Sequence, residues 1–295
     1  MEQFVFIILL LLIGIALQRM NPPEDFAKSL NFFVIYVSLP STVLLQIPKI
    51  TFDLSLIAII LTPWLLVPFV VVAVMALTRH HPQNVRAALL LVIPLGNTSF
   101  LGIPLITALL GEKALGYLMM YDQLGTFLIL SLYGAAVIAR YETGIFHPKM
   151  VLKKLLLFPP FGFLLFALAF GQLPQPMLPY IQNLSGTLVP LALISVGYSL
   201  RLKGNFDYAL LSKALALKLL LMPLLALGFL SALGVSPLPL KTAVLESGMP
   251  SMITAGALAI AAGFAPELSA ALVGYGLVIS LVTLPLMAKL LAMFC

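Results

Sequence analysis

The chain has 295 residues, of which 62% are hydrophobic and 9% charged, and its mean hydropathy is +1.14. Soluble globular chains are about a quarter charged, so little of this surface is built to meet water, and the chain reads as an integral membrane protein. At ~25–30 residues for each span with its connection, about ten spans use the whole length, which leaves no soluble domain for ATP hydrolysis or nucleic-acid binding.

Charges and turn signals cut the chain into hydrophobic segments near residues 3–18, 27–47, 54–77, 87–110, 113–139, 154–171, 178–200, 206–232, 241–263 and 267–293. The run from Phe4 to Leu17 lacks a basic n-region and a small-x-small cleavage site, so it reads as a first helix rather than a signal peptide. The formal net charge of +6 is read as topogenic rather than as a nucleic-acid footprint. The odd-numbered connections carry eleven of the 16 Lys and Arg: Arg19, Lys28, Arg79, Arg86, Arg140, Lys149, Lys153, Lys154, Arg201, Lys203 and Lys213. The even-numbered connections and the C-terminal end carry only Lys49, Lys113, Lys241 and Lys289, and Lys218 lies inside the eighth segment. This bias predicts a multi-pass protein of the cytoplasmic (inner) membrane with both termini on the extracytoplasmic side. His80, His81 and His147 fall in cytoplasmic connections without a carboxylate or cysteine cluster, so no metal site is predicted. The single cysteine, Cys295, has no intramolecular partner.

The longest connection, Arg140 to Lys154, sits at the midpoint, and the prolines repeat on either side of it. Pro40, Pro68 and Pro94 fall in segments two to four, while Pro190, Pro223 and Pro250 fall in segments seven to nine. Leu66-Val67-Pro68 reads like Leu221-Met222-Pro223. Five spans per half invert the second half relative to the first, which is a plan common among secondary transporters. The chain is therefore expected to be one transmembrane unit over residues 1–295, built of inverted repeats at approximately 1–140 and 150–295.

The fourth and ninth segments carry the most information. Ile93-Pro94-Leu95-Gly96-Asn97-Thr98-Ser99-Phe100-Leu101-Gly102-Ile103-Pro104 places two prolines, two glycines and three polar side chains inside an apolar span. The ninth repeats the pattern with Glu246-Ser247-Gly248-Met249-Pro250-Ser251-Met252-Ile253-Thr254-Ala255-Gly256. Proline removes a donor and clashes with the preceding turn, and unwound backbone at membrane depth survives only inside protein or along a wet cavity. Paired breaks in matching segments point to a transporter's binding site, formed here by Gly96, Asn97, Thr98, Ser99, Ser247, Pro250 and Ser251. The alternative is a pair of kinked, glycine-rich packing helices.

The run from Gly96 to Leu105, followed by Gly111 and Ala114-Leu115-Gly116, closely resembles the asparagine-containing crossover signature of the auxin efflux carrier family. Gly248-Met249-Pro250, Ala257-Leu258-Ala259 and Ser280-Leu281-Val282-Thr283-Leu284-Pro285-Leu286 look like that family's second crossover and last helix. The resemblance implies an all-α membrane protein of ten transmembrane helices in two inverted five-helix repeats. Helices four and nine would break and cross, similar to those of the bile acid and sodium symporters, and the scaffold would form a homodimer. The long hydrophilic loop of the plant carriers is missing, so the chain resembles the compact prokaryotic members, and auxin is not implied as substrate.

Three ionisable residues lie well inside segments, where a charge costs at least ~2.5–3.5 kcal/mol. Asp122, followed by Gln123, either pairs with Lys218 or carries a proton or cation at the crossover. Glu246 either sits at a wet helix end five residues after Lys241 or meets sodium or a proton beside freed carbonyls. Lys218 either snorkels toward Lys213 or neutralises Asp122 or an anionic substrate. Asn31, Tyr36, Ser38 and Ser41 either line the cavity or join helices by hydrogen bonds.

No G-x-x-x-x-G-K-[ST], H-E-x-x-H or G-x-S-x-G occurs, so ATP-driven pumping, zinc proteolysis and hydrolase chemistry lack their parts, and no enzyme activity is predicted. The expectation is a secondary transporter of a small organic anion, a carboxylate, whose partners are the lipid bilayer and a second copy of the chain. No nucleic acid and no cofactor are foreseen, and the coupling ion is a proton or sodium. A sodium symporter of the bile acid type and a channel are the alternatives.

Overall fold

A computed structural model describes residues 2–20, 22–50, 54–143, 148–149, 152–153, 157–202 and 204–294; His147, Lys154, Lys203 and Cys295 lie outside them. Every regular element among the described residues is helical. In chain order these are α1 Glu2–Leu17, α2 Phe26–Lys49, α3 Leu54–Leu77, α4 Gln83–Val92, α5 Thr98–Leu110 and α6 Glu112–Tyr141. They continue with α7 Pro159–Phe170, α8 Gln175–Ser199, α9 Tyr208–Ala232, α10 Pro237–Ser247, α11 Ile253–Ala261 and α12 Pro266–Phe294. Six of them, α2, α3, α6, α8, α9 and α12, are long and apolar enough to cross a membrane, and shorter apolar helices occur at Phe4–Leu17, Thr98–Leu110 and Pro159–Phe170. The chain is thus a multi-pass membrane protein.

Each hydrophobic segment coincides with helix, and the fourth and ninth are each two helices. Proline alone does not decide where a helix breaks. Pro63 and Pro68 lie inside continuous α3 and Pro285 inside continuous α12. The breaks come where proline is joined by glycine and polar residues and where the unwound backbone finds a partner.

Close approach of backbones holds the bundle, as expected where lipid removes the hydrophobic drive between helices. Helix α1 packs on the second half of α8. A Cβ on Gly14 would come within 2.3 Å of the Ile194 carbonyl, and one on Gly197 within 2.2 Å of the Leu11 carbonyl, so the two helices meet glycine to backbone. Gln18 Nε2 secures this corner by donating to the carbonyls of Gly197, Tyr198 and Leu200 at 3.1, 2.8 and 3.1 Å. Helix α2 joins α8 through Ser38 to Thr187 and Thr42 to Ser185, at 2.7 and 2.8 Å. Helix α3 seats Pro63 against Gly125 of α6, and Trp64 Nε1 donates to the Leu124 carbonyl at 2.9 Å. Helix α11 packs between α4 and α12. Large apolar side chains such as Phe6, Leu9, Leu12, Phe69 and Val72 point outward, as a lipid-facing surface requires.

Candidate functional site

The two unwound stretches lie side by side. After α4 ends at Val92, Gly96 pairs with Ser251 as an isolated antiparallel bridge. Asn97 N donates to the Pro250 carbonyl at 2.8 Å, and Met252 N to the Leu95 carbonyl at 2.9 Å. Pro94 and Pro250 stop the helices, and each break supplies the hydrogen-bond partner the other lost. This satisfies backbone that hydrocarbon could not. Asn97 then caps α5, with its carbonyl accepting from Gly102 N at 3.0 Å, and Met252 caps α11.

Asp122 projects from α6 onto the start of α5, in a stretch, Tyr121–Thr126, wound as a wide π turn. Its Oδ1 accepts from the hydroxyls of Thr98 and of Ser99, the latter at 2.7 Å, and its Oδ2 accepts from Gln123 Nε2 at 2.7 Å. The carboxylate is 1% exposed. A cavity of about 120 Å³ opens beside it, bounded by Asn97, Ser99, Phe100, Asp122 and Gln123 on one side and Met252, Ile253 and Thr254 on the other. Asn31 from α2 and an apolar wall close it, including the rings of Phe127 and Phe158, stacked at 3.9 Å. The first turns of two half-helices, α5 and α11, therefore meet at one small space. Helix N-termini carry free N–H groups and partial positive charge. Asp122 is the charged group that lines this space among the described residues.

Lys218 and Glu246 lie elsewhere on the crossover and do not line the cavity. Lys218, in a π turn of α9 at Leu217–Leu221, is 1% exposed and donates to the Ser247 carbonyl at 3.4 Å and toward Met222 Sδ at 3.6 Å. Glu246, near the end of α10, is 0% exposed, and neither carboxylate oxygen has a hydrogen-bond partner among the described residues. Its oxygens occupy the space a side chain at Gly102 would fill, 2.6 and 2.9 Å from a Cβ built there.

These positions remove three of the alternatives left open by the sequence. Lys218 does not snorkel, because its stem runs inward and its ammonium is enclosed by the crossover. It does not pair with Asp122, whose partners are two hydroxyls and an amide; among the described residues no carboxylate oxygen lies within 4.0 Å of it. Glu246 is not at a wet helix end, because the end of α10 is itself buried at the break.

Of the residues singled out from the sequence, Asn97, Ser99, Asp122 and Gln123 line the cavity, while Gly96, Thr98, Ser247, Pro250 and Ser251 do not line it and lie in or beside the two breaks. Thr98 holds Asp122, Gly96 leaves room for Lys218, Ser247 Oγ bonds back to Val244 O at 2.7 Å, and the buried Ser251 Oγ has no partner among the described residues. On α2, Asn31 both lines the cavity and accepts from Ser195 Oγ at 2.5 Å. Ser38 joins α2 to α8, Ser41 bonds back to the Val37 carbonyl of its own helix at 2.8 Å, and Tyr36 faces outward, stacked on Phe32. Sequence reasoning missed Thr254 and the Phe127–Phe158 wall. Thr254 was legible as the second residue of the half-helix after Pro250, whereas the stacked rings come from two consecutive segments, and their meeting depends on how the helices pack.

A family profile described as membrane transport protein matches residues 1–146 and 145–288. An uncharacterized transporter of Methanothermobacter thermautotrophicus is 29% identical over 303 residues, spanning 98% of each chain. An uncharacterized transporter of Methanocaldococcus jannaschii is 30% identical over 244 residues, 77% of this chain and 78% of the relative. With the crossover residues and the family profile in agreement over nearly the whole length, the chain belongs to the auxin efflux carrier family of membrane transport proteins.

Proposed function

We propose that this transporter is a secondary carrier of a small organic anion, a carboxylate, working by alternating access around the crossover of α4–α5 and α10–α11. The observation that carries the reading is the convergence of the α5 and α11 N-termini on one cavity. Free N–H groups and dipole ends favour a carboxylate there, with Asn97 offering donors and an acceptor at the break. The apolar wall of Phe127, Phe158, Ile35 and Leu39 would receive the body of the acid.

Asp122 gives the coupling. A second carboxylate beside an ionised Asp122 is disfavoured, so entry of the anion is linked to uptake of a proton at the pair. The Thr98, Ser99 and Gln123 contacts tie that proton to the start of α5, the element that would move. In this reading the chain forms ten spans as two inverted five-helix repeats. The midpoint division of the prolines supports it, as do the family matches that divide at residues 145–146. It dimerises through its scaffold and sits in the cytoplasmic membrane with both termini outside, as the basic-residue bias favours. A sodium-coupled reading draws on the bare oxygens of Glu246.

The test is a thermal-shift screen of organic acids on the purified protein at several pH values, with sodium or choline as the cation, followed by uptake of the hits into proteoliposomes. Carboxylates should stabilise more strongly as pH falls, and Asn97→Ala should abolish their uptake while leaving folding near normal. Stabilisation by amines or neutral solutes alone would sink the anion reading. Unsaturable ohmic current would replace a carrier by a channel.

A further inference from the structure

Two ionisable side chains of opposite type, Lys218 of α9 and Glu246 of α10, are buried against one short stretch of the crossover. Gly96 lies in the break between α4 and α5 and Gly102 in the first turn of α5, and each lacks a side chain where an ionisable end presses on it. A Cβ at Gly96 would stand 3.3 Å from Lys218 Nζ, and one at Gly102 2.6 Å from Glu246 Oε1. A bare carboxylate at membrane depth is costly unless a cation answers it. The buried cation against the same stretch is Lys218, whose ammonium rests on the Ser247 carbonyl at the C-terminal, negative end of α10. Lys218 and Glu246 make no ion pair within 4.0 Å, but at low dielectric opposite charges attract well beyond contact. A dissolved cation entering beside Glu246 would meet that ammonium and be repelled.

We propose that the Lys218 ammonium is a resident cation of the crossover, compensating Glu246 and the carbonyl end of α10, so that this protein needs no dissolved sodium ion there. The idea deepens the crossover reading above, since it assigns coupling to the Asp122 side alone. Its test needs no substrate, so it can fail while the carrier reading stands, and the reverse.

The experiment compares purified wild type, Lys218→Met, and Lys218→Met combined with Glu246→Gln. Thermal midpoints are measured in sodium chloride and in choline chloride at equal ionic strength. Wild type and the double variant should melt alike in the two salts. Lys218→Met should melt several degrees higher in sodium chloride, because the exposed need of Glu246 is then met by sodium. If Lys218→Met is recovered only when extracted in sodium, or only when Glu246→Gln accompanies it, charge compensation is equally supported. Stabilisation of wild type by sodium over choline overturns the proposal. So does a Lys218→Met protein indifferent to the salt, or loss of folding in both the single and the double variant, since packing rather than charge would then be what Lys218 supplies.

Discussion

Asp122 and Glu246 are both buried acids a few side chains from the same helix break, yet they are held in opposite ways. Asp122 is surrounded by neutral donors, two hydroxyls and an amide, that converge on its two oxygens at the edge of a cavity. Glu246 has no donor on either oxygen among the described residues and presses on Gly102, while Lys218 presses on Gly96 of the same stretch. Hydroxyls and amides can serve a carboxylate in either protonation state by rotating, which suits a group that must change its charge. A group answered only by a distant fixed charge loses its partner whenever its own charge changes. On the two proposals above, the first arrangement serves a moving proton and the second a fixed pair of charges.

The sharpest way to break that contrast is to neutralise Asp122. Asp122→Asn should lose accumulation driven by a pH gradient while keeping exchange of substrate between the two faces, since exchange needs no net proton movement. Proteoliposome uptake with and without an imposed gradient separates the two. Accumulation that still follows the gradient would move the proton elsewhere. Because Asn offers one acceptor where Asp offered two, the variant should also lose about 1–3 kcal/mol of stability.

A smaller effect is expected at the glycine that accommodates Glu246. Gly102→Ala forces the carboxylate away from a 2.6 Å contact in a closed interior, and overpacking of this kind costs about 1–3 kcal/mol. Truncating the intruding group as well, with Glu246→Ala in the same chain, should return part of that loss, which a double-mutant cycle on thermal midpoints would read. Gly228→Ala is the contrast. No heavy atom lies within 4 Å of a Cβ there, so it should be neutral or stabilise by about 0.4–1 kcal/mol.

The sequence disclosed the breaks because they obey local chemistry. Pro94 and Pro250 remove donors, and Gly96, Asn97 and Ser251 tolerate or repair the unwound backbone beside them. That Pro63, Pro68 and Pro285 leave their helices continuous was not legible, because it depends on the absence of a partner strand rather than on the residue itself. The depth of Asp122 followed from its distance along α6. Its partners on α5 did not, since the π turn at Tyr121–Thr126 sets the direction of the side chain and has no sequence signature. Lys218 and Glu246 were read as lying inside their spans, but the wet-end and snorkelling alternatives stayed open for a related reason. Counting residues from Lys241 and Lys213 measures distance to a helix end, whereas burial here comes from helices that end inside the protein.

A third acid, Asp207, supplies the exposed limit of the same comparison. It lies just before α9 outside the spanning segments, and its Oδ1 accepts from Ala209 N and Leu210 N at 2.8 and 3.1 Å, with His81 Nε2 3.7 Å from Oδ2. These backbone donors, Leu210 foremost, hold its carboxyl below the usual carboxylate value. A depressed value in the folded state means that the cap's contribution is complete at neutral pH, begins to fade as pH falls past the ordinary carboxylate value, and is gone below the lowered one. With the group open to water the overall melting point should barely move. The effect should instead be local: Asp207→Ala should speed amide exchange at Ala209 and Leu210 several-fold, while Asp207→Asn, which still caps, should stay near wild type. Equal acceleration in both variants would mean that charge at the helix start, rather than the hydrogen bonds, holds the first turn of α9. The rule drawn from Asp122, that donors matter more than distant charges, would then fail at the exposed site.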